Sequence, residues 1–262
     1  MIPQADIIAW QSSAPWPTLL QVEQDLVICR AVIELFSQPL LREHLAFRGG
    51  MALHKLHLAP PTRYSEDIDL VQVQAGPHGA IMDAVRSALD GFLGEPRRAW
   101  GAGSTTLTYR ITPEGGTVGQ MRLKVEINTR EHFAVLGLEK RPFAVESRWF
   151  SGRCEVPTYP LDELLGTKLR ALYQRRKSRD LFDLWLGIAA GKAKPAAIVD
   201  VFRKYMAAEK HEVSQRDFRE NLAAKIKDRR FLGDTETLLR ADIVYDHSKA
   251  HRLVDGQLLS LL

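Results

Sequence analysis

The chain has two cysteines in 262 residues, Cys29 and Cys154, in unrelated contexts. That is too few and too scattered for a disulfide framework or a thiolate metal site, so both are expected to be reduced and buried. No run approaches the ~18 uninterrupted apolar residues of a spanning helix. The opening MIPQADIIAW has neither a basic region nor a cleavable apolar stretch, so a cytoplasmic protein with no membrane association is expected. His54 and His57 lie one turn apart without an HExxH motif or a third ligand, which excludes a zinc hydrolase; both are assigned to helix surface and packing. Serine and cysteine nucleophile motifs, internal repeats and low-complexity tracts are also missing.

What is present is a 45% apolar composition with net charge +4, enough for a buried core and compatible with a polyanionic partner. Apolar residues near a 3.6-residue period predict an amphipathic helix over 16–38. HLAFRGG reads as a short strand stopped by Gly49-Gly50, and MALHKLHL as a helical stretch ended by Pro60-Pro61. DIDLVQV alternates as a strand, GAIMDAVRSALDGFL is a helix, and STTLTYRI and QMRLKVEINTR are strands around the turn-rich TPEGGTVG. FAVESRWF and RCEVPTY are expected as short strands. From Pro160 onward four helical segments follow, so residues 1–158 are expected to form an α+β domain with a mixed sheet and flanking helices, and 159–262 a helical domain.

Asp67 and Asp69 interrupt the apolar Ile68 and Leu70. On a strand, residues two apart project from the same face about 7 Å apart, and two carboxylates that close repel unless a cation neutralises them. Mg²⁺, which takes carboxylate and phosphate oxygens together, is the simplest occupant. Gly49-Gly50 at a strand-to-helix junction allows backbone to approach a phosphate, and Ser65 offers a hydroxyl. A solvated acidic pair beside a tight turn is the plainer reading. Glu126, alternating with Val125 and Ile127 and sharing its face with Lys124, is either a third metal carboxylate or an exposed strand glutamate.

Six basic residues and no acid lie between Lys168 and Arg179, either a solvated helix face or a surface steering a polyanion. Lys168, at the margin of a leucine-lined helix, can snorkel to solvent or meet a triphosphate. Ser178 is placed to cap the next helix, with Asp180 favoured by its dipole. Asp183, flanked by Leu181, Phe182, Leu184 and Trp185, needs a partner: Lys168, Arg175 or a ribose or acceptor hydroxyl.

Together FRGGMALHKL, RYSEDIDL and LLGTKLRALYQRRKSRDLFDLW resemble the AbiEii/AbiGii family of nucleotidyltransferase toxins, over roughly residues 21–187. The resemblance implies a nucleotidyltransferase fold with a C-terminal helical part closing the active-site groove. It implies Asp67 and Asp69 at Mg²⁺, Gly49 and Gly50 at the nucleotide phosphates, and Lys168 with Asp180 or Asp183 completing the site from the helical part. The residues themselves add Glu126 as a candidate metal ligand and Ser65, Arg175 and Asp180 as candidate nucleotide contacts. Lys168 and Asp183 join Asp67 and Asp69 in catalysis. The implied reaction moves NMP from an NTP to RNA, in particular a tRNA 3′ end, with pyrophosphate released and an antitoxin encoded nearby. A small-molecule or protein acceptor, or a non-catalytic nucleotide-binding regulator, is the alternative. Two departures stand out: Met51 replaces the usual Thr after the glycines, and sixteen residues separate Gly50 from Asp67.

Overall fold

The computed structural model describes residues 2–114 and 121–262. Most of the expected turn at 112–119 therefore lies outside the described residues. The chain divides into two compact units, one running to Phe133 and resuming at Leu138–Tyr159, the other made of Ala134–Gly137 and Pro160–Leu262.

The first unit contains a seven-stranded mixed sheet. Its elements in order are α1 (Gln4–Trp10), α2 (Leu19–Ser37), α3 (Pro39–His44), β1 (Leu45–Arg48), α4 (Gly49–Ala52) with a π-helical continuation at Leu53–His57, β2 (Asp67–Gln72), α5 (Gly79–Leu93), β3 (Arg97–Gly101), β4 (Ser104–Ile111), β5 (Met121–Asn128), β6 (Glu139–Glu146) and β7 (Ser151–Thr158). The strand order is β3-β4-β5-β2-β1-β7-β6. β2 runs parallel to β5 and β1 parallel to β7, and the other pairs are antiparallel. Period-two alternation buries Ile68, Leu70, Leu107, Tyr109, Leu123, Val125 and Ile127, with α2 and α5 packed on the sheet. β3 had no sequence signal because all five of its residues are exposed. The expected strand FAVESRWF stops early, since Ser147 and Phe150 close a turn through the Ser147 hydroxyl.

α2 starts at a Thr18–Gln21 capping box, but it is not the simple amphipathic helix its pattern suggests. Glu23, Gln24 and Asp25 are buried along with its apolar residues. Asp25 accepts the indole N–H of Trp10 and of Trp16, each at 3.0 Å, and pairs with the Lys55 ammonium at 2.8 Å. The carboxylate holds the Lys55 charge in place, outweighing a burial cost that alone would lower its pKa. This pair fixes the segment after Gly49-Gly50 to the helix beneath it. The neighbouring Cys29 thiol is pushed up to about 12 by burial and by Asp25, an inert thiol as expected. His54 and His57, expected in part on a helix surface, are both buried, because their π-helical stretch sits within the core rather than on it.

The second unit consists of α6 (Leu161–Gln174), α7 (Ser178–Ala189), α8 (Pro195–Ala208), α9 (Gln215–Lys225), α10 (Arg229–Gly233) and α11 (His247–Gln257). Buried Glu163 accepts the backbone N–H of Val135 and Leu136, each at 2.7 Å, and the Tyr205 hydroxyl at 2.9 Å, which ties the 134–137 segment to α6 and α8. α6 ends at Gln174. Its carbonyls at Leu172 and Tyr173 accept from the buried Lys225 ammonium, whose pKa burial and Arg176 lower to about 8.

Two outcomes follow from these buried groups. Asp25→Ala strands the Lys55 charge and two indole N–H groups, so urea unfolding should show a loss of about 3–5 kcal/mol. Removing both partners, in Asp25→Ala/Lys55→Met, should recover much of it. Burial, then the Arg141 charge, lowers the His57 pKa from 6.5 to about 4. Between those values the unfolded chain holds a proton that the folded chain refuses, so stability falls as pH drops from 6.5 to 4, by about 3 kcal/mol. His57→Gln should lose that much less than wild type between pH 7 and pH 4 in the same measurement.

Candidate active site

The parallel pairing of β2 and β5 sets Asp67 opposite Lys124 and Asp69 opposite Glu126, and the antiparallel pairing of β1 sets Arg48 opposite Asp69. All five side chains share the polar face of the sheet, since their neighbours Phe47, Ile68, Leu70, Val125 and Ile127 take the buried face. The Lys124 ammonium lies 2.9 Å from Glu126 Oε2 and 3.8 Å from Asp67 Oδ2. These three side chains are 38%, 36% and 35% exposed respectively, open to solvent but not free in it. Partial burial would lower the Lys124 pKa, yet the Glu126 hydrogen bond and the Asp67 charge outweigh it and raise the value.

Gly49 of the glycine pair faces Asp69, and Gly50 faces Arg63 and Ser65. Gly49 has φ +78°, a conformation that side chains disfavour, and a Cβ there would stand 2.0 Å from Asp69 Oδ2. A Cβ on Gly50 would stand 2.6 Å from Arg63 Nη2 and 2.9 Å from Ser65 Oγ. Gly49 does not tolerate a side chain, because of its backbone conformation and the approach of Asp69, whereas a side chain at Gly50 would have to displace the Arg63 guanidinium and the Ser65 hydroxyl. Met51, in place of the usual Thr, is buried. The structure thus brings together Gly49, Gly50, Ser65, Asp67, Asp69 and Glu126 within the first unit.

Two residues at this face carried no weight in the sequence. Arg48 pairs with Glu131, and Glu131 is in turn held through its backbone N–H by the Asn128 side chain at the end of β5. Arg63, almost fully buried, donates to the Tyr64 carbonyl at 3.0 Å and lies against Gly50. The available signal was position alone: Arg48 directly precedes the glycines, and Arg63 sits two residues before Ser65.

Among the described residues, no group of three or more Asp, Glu, His or Cys side chains is placed to hold a metal ion by itself. The oxygen donors of Asp67, Asp69 and Glu126 nevertheless fit Mg²⁺, which is commonly held by one or two carboxylates with phosphate oxygens and water completing its shell. The Lys124 ammonium between Asp67 and Glu126 marks where positive charge is accommodated.

In the helical unit, Lys168 is buried and reaches Asp183 Oδ2 at 2.8 Å and Asp180 Oδ1 at 3.2 Å. Arg175 grips Asp180 with two hydrogen bonds of 2.8 Å. Burial would raise the Asp180 pKa, but the Lys168 and Arg175 charges hold it below the usual carboxylate range. Asp183 therefore finds Lys168 as a partner, and Arg175 belongs to Asp180. Ser178 does not cap α7: it is the helix's first residue, Lys177 is the cap position, and its hydroxyl bonds to Thr235. Arg170, Arg176 and Lys177 pair with Glu209, Asp228 and Asp234. Of the six basic residues in this run, all but Arg179 thus make ion pairs inside their own unit, so much of the charge expected to steer a polyanion is compensated locally.

The fold has known counterparts. MenT4, a nucleotidyltransferase toxin from Mycobacterium tuberculosis, superposes with TM-score 0.59 at 16% identity, covering 100% of this chain and 99% of that one. JHP933 from Helicobacter pylori gives TM-score 0.57 at 15% identity, covering 92% and 90%. A putative nucleotidyltransferase from H. pylori gives 0.54 at 16%, covering 92% and 97%. At such identities the likeness establishes a nucleotidyltransferase-like α+β fold. No curated protein sequence matches. No helix among the described residues is long and apolar enough to cross a membrane. The family model described as nucleotidyl transferase AbiEii toxin, type IV toxin–antitoxin system, matches residues 30–250, and on that match, over a sheet that gathers the glycine pair and the acidic strand, the chain belongs to the AbiEii family of nucleotidyltransferase toxins.

Proposed function

We propose that this nucleotidyltransferase transfers an NMP from an NTP to a hydroxyl of RNA, a tRNA 3′ end in particular, and that an antitoxin encoded nearby restrains it. The observation that carries the reading is the convergence of Gly49, Gly50 and Ser65 on the face that bears Asp67, Asp69 and Glu126. The bare backbone of the glycine pair and the Ser65 hydroxyl receive the triphosphate, and Gly49 lets Asp69 approach without a side chain between them. Asp67, Asp69 and Glu126 would hold Mg²⁺, which when bound neutralises the triphosphate and the charge building on the departing pyrophosphate. The acceptor oxygen forms its bond to the α-phosphorus as the bond from that phosphorus to the β-phosphate oxygen breaks. The hydroxyl proton passes to a carboxylate oxygen of the acidic cluster, and pyrophosphate leaves.

The same face supports a polyanionic acceptor. Arg97 lies in register with Thr108, which is opposite Lys124, and Arg110 is opposite Arg122. All three arginines are exposed, so a row of positive charge continues across the sheet from Lys124 toward its β3 edge. This row, rather than the locally paired run at 168–179, is the better candidate for contact with RNA phosphates. In the helical unit, Lys168 and Asp183 are the proposed catalytic pair and Arg175 and Asp180 the proposed nucleotide contacts. For Lys168 to meet a triphosphate, its ion pairs with Asp180 and Asp183 must loosen.

Purified protein with labelled NTPs, Mg²⁺ and total RNA should label RNA, and Asp67→Ala/Asp69→Ala should lower the rate by at least about 10²-fold, as loss of a transition-state charge partner does. Labelling that the double variant retains would end the reading. Label on a small molecule or protein instead of RNA would move the acceptor to the alternative class. Replacing Arg97, Arg110 and Arg122 singly with Gln should each reduce the slope of log affinity for RNA against log salt by about 1, read by filter binding across a salt series.

A further inference from the structure

Lys124 has no part in the transfer chemistry above, yet it holds the central place on the acidic face. Its Cα pairs with that of Asp67 across β2 and β5, and its ammonium touches Glu126 and approaches Asp67. Three carboxylates, Asp67, Asp69 and Glu126, share one sheet face with Arg48 opposite Asp69, and such a group repels itself unless cations lie among its members. Resting on the reading of this face as the metal-dependent nucleotidyl site, we propose that Lys124 is a built-in counter-cation: its ammonium fills the position between Asp67 and Glu126 and must swing out before a divalent ion enters.

Several features favour a placeholder over a fixed structural bridge. The side chain is 38% exposed and its partners similarly so, so the ammonium can leave the carboxylates without leaving water. An ion pair of this exposure is worth only about 0–1 kcal/mol. The buried pairs of this protein contrast with it: Lys55–Asp25 and Lys168–Asp183 are closed off from solvent on both sides, and breaking either leaves a stranded charge. A lysine that joins acids weakly holds their mutual repulsion in check when no metal is present and competes only slightly when one arrives. It also ties the loaded state to a charge change on this strand, since the displaced ammonium stays on the sheet face that the glycine pair borders.

The test uses the full chain without nucleotide and Mn²⁺ as the probe, its binding followed by the loss of the free-ion electron paramagnetic resonance signal. Lys124→Gln should bind Mn²⁺ about twofold to fivefold more tightly than wild type, the factor that removing a competitor worth up to about 1 kcal/mol gives. Lys124→Arg should stay within twofold of wild type, and the urea midpoint of Lys124→Gln should fall only slightly, as loss of an exposed ion pair does. Binding by Lys124→Gln that is equal to or weaker than wild type overturns the proposal. Asp67→Ala/Asp69→Ala keeps the two ideas apart. If it abolishes Mn²⁺ binding while Lys124→Gln changes nothing, the acidic site stands and the placeholder falls. If it leaves binding intact, the metal reading of the face falls, and the placeholder with it.

Discussion

The parallel pairing of β2 with β5 is the constraint on which the site depends. Side chains alternate with period two, so each strand that buries Ile68 and Leu70 or Val125 and Ile127 must show Asp67 and Asp69 or Lys124 and Glu126 on the other face. A slip of one residue would send carboxylates into the core, and burial of that many apolar side chains forbids it. The register that secures the sheet is therefore also the register that places Asp69 beside Glu126. The acidic site comes as a consequence of the core.

The protein uses charge in two distinct ways. Buried pairs lock segments: Asp25 with Lys55 holds the stretch following the glycines to α2, Glu163 holds the 134–137 segment, and Asp180 and Asp183 hold Lys168 and Arg175 between α6 and α7. Apart from Arg175, whose side chain is 48% exposed, these groups are enclosed and costly to break. Half-exposed charge on the sheet face is held loosely, as at Lys124, where solvent screening makes rearrangement inexpensive. Enclosed charge thus fixes segments within each unit, while the charge on the sheet face of the first unit stays open to solvent.

Much of the sheet and the acidic constellation was legible in the sequence. Strong period-two alternation marked β2, β4 and β5, and the proximity of Gly49-Gly50 to the acidic strand appeared as a motif. β3 was not legible, because a fully exposed edge strand has no buried face to impose a pattern. The burial of Asp25, His54 and His57 was also hidden, since a polar residue in a helical pattern reads as a solvent position until its partners, here Trp10, Trp16 and Lys55 for Asp25, are brought to it from elsewhere in the chain.

The sequence alone determined which residues could alternate, where the chain must turn, and that Asp67, Asp69 and Glu126 face away from apolar neighbours, because these follow from local backbone geometry. Only the tertiary structure decided that β5 lies next to β2, that Gly49 touches Asp69, that Lys124 stands among the acids, and that the basic run at 168–179 is largely paired within its own unit. Those are contacts between residues far apart in the chain. They depend on which surfaces pack together, and no local pattern records that.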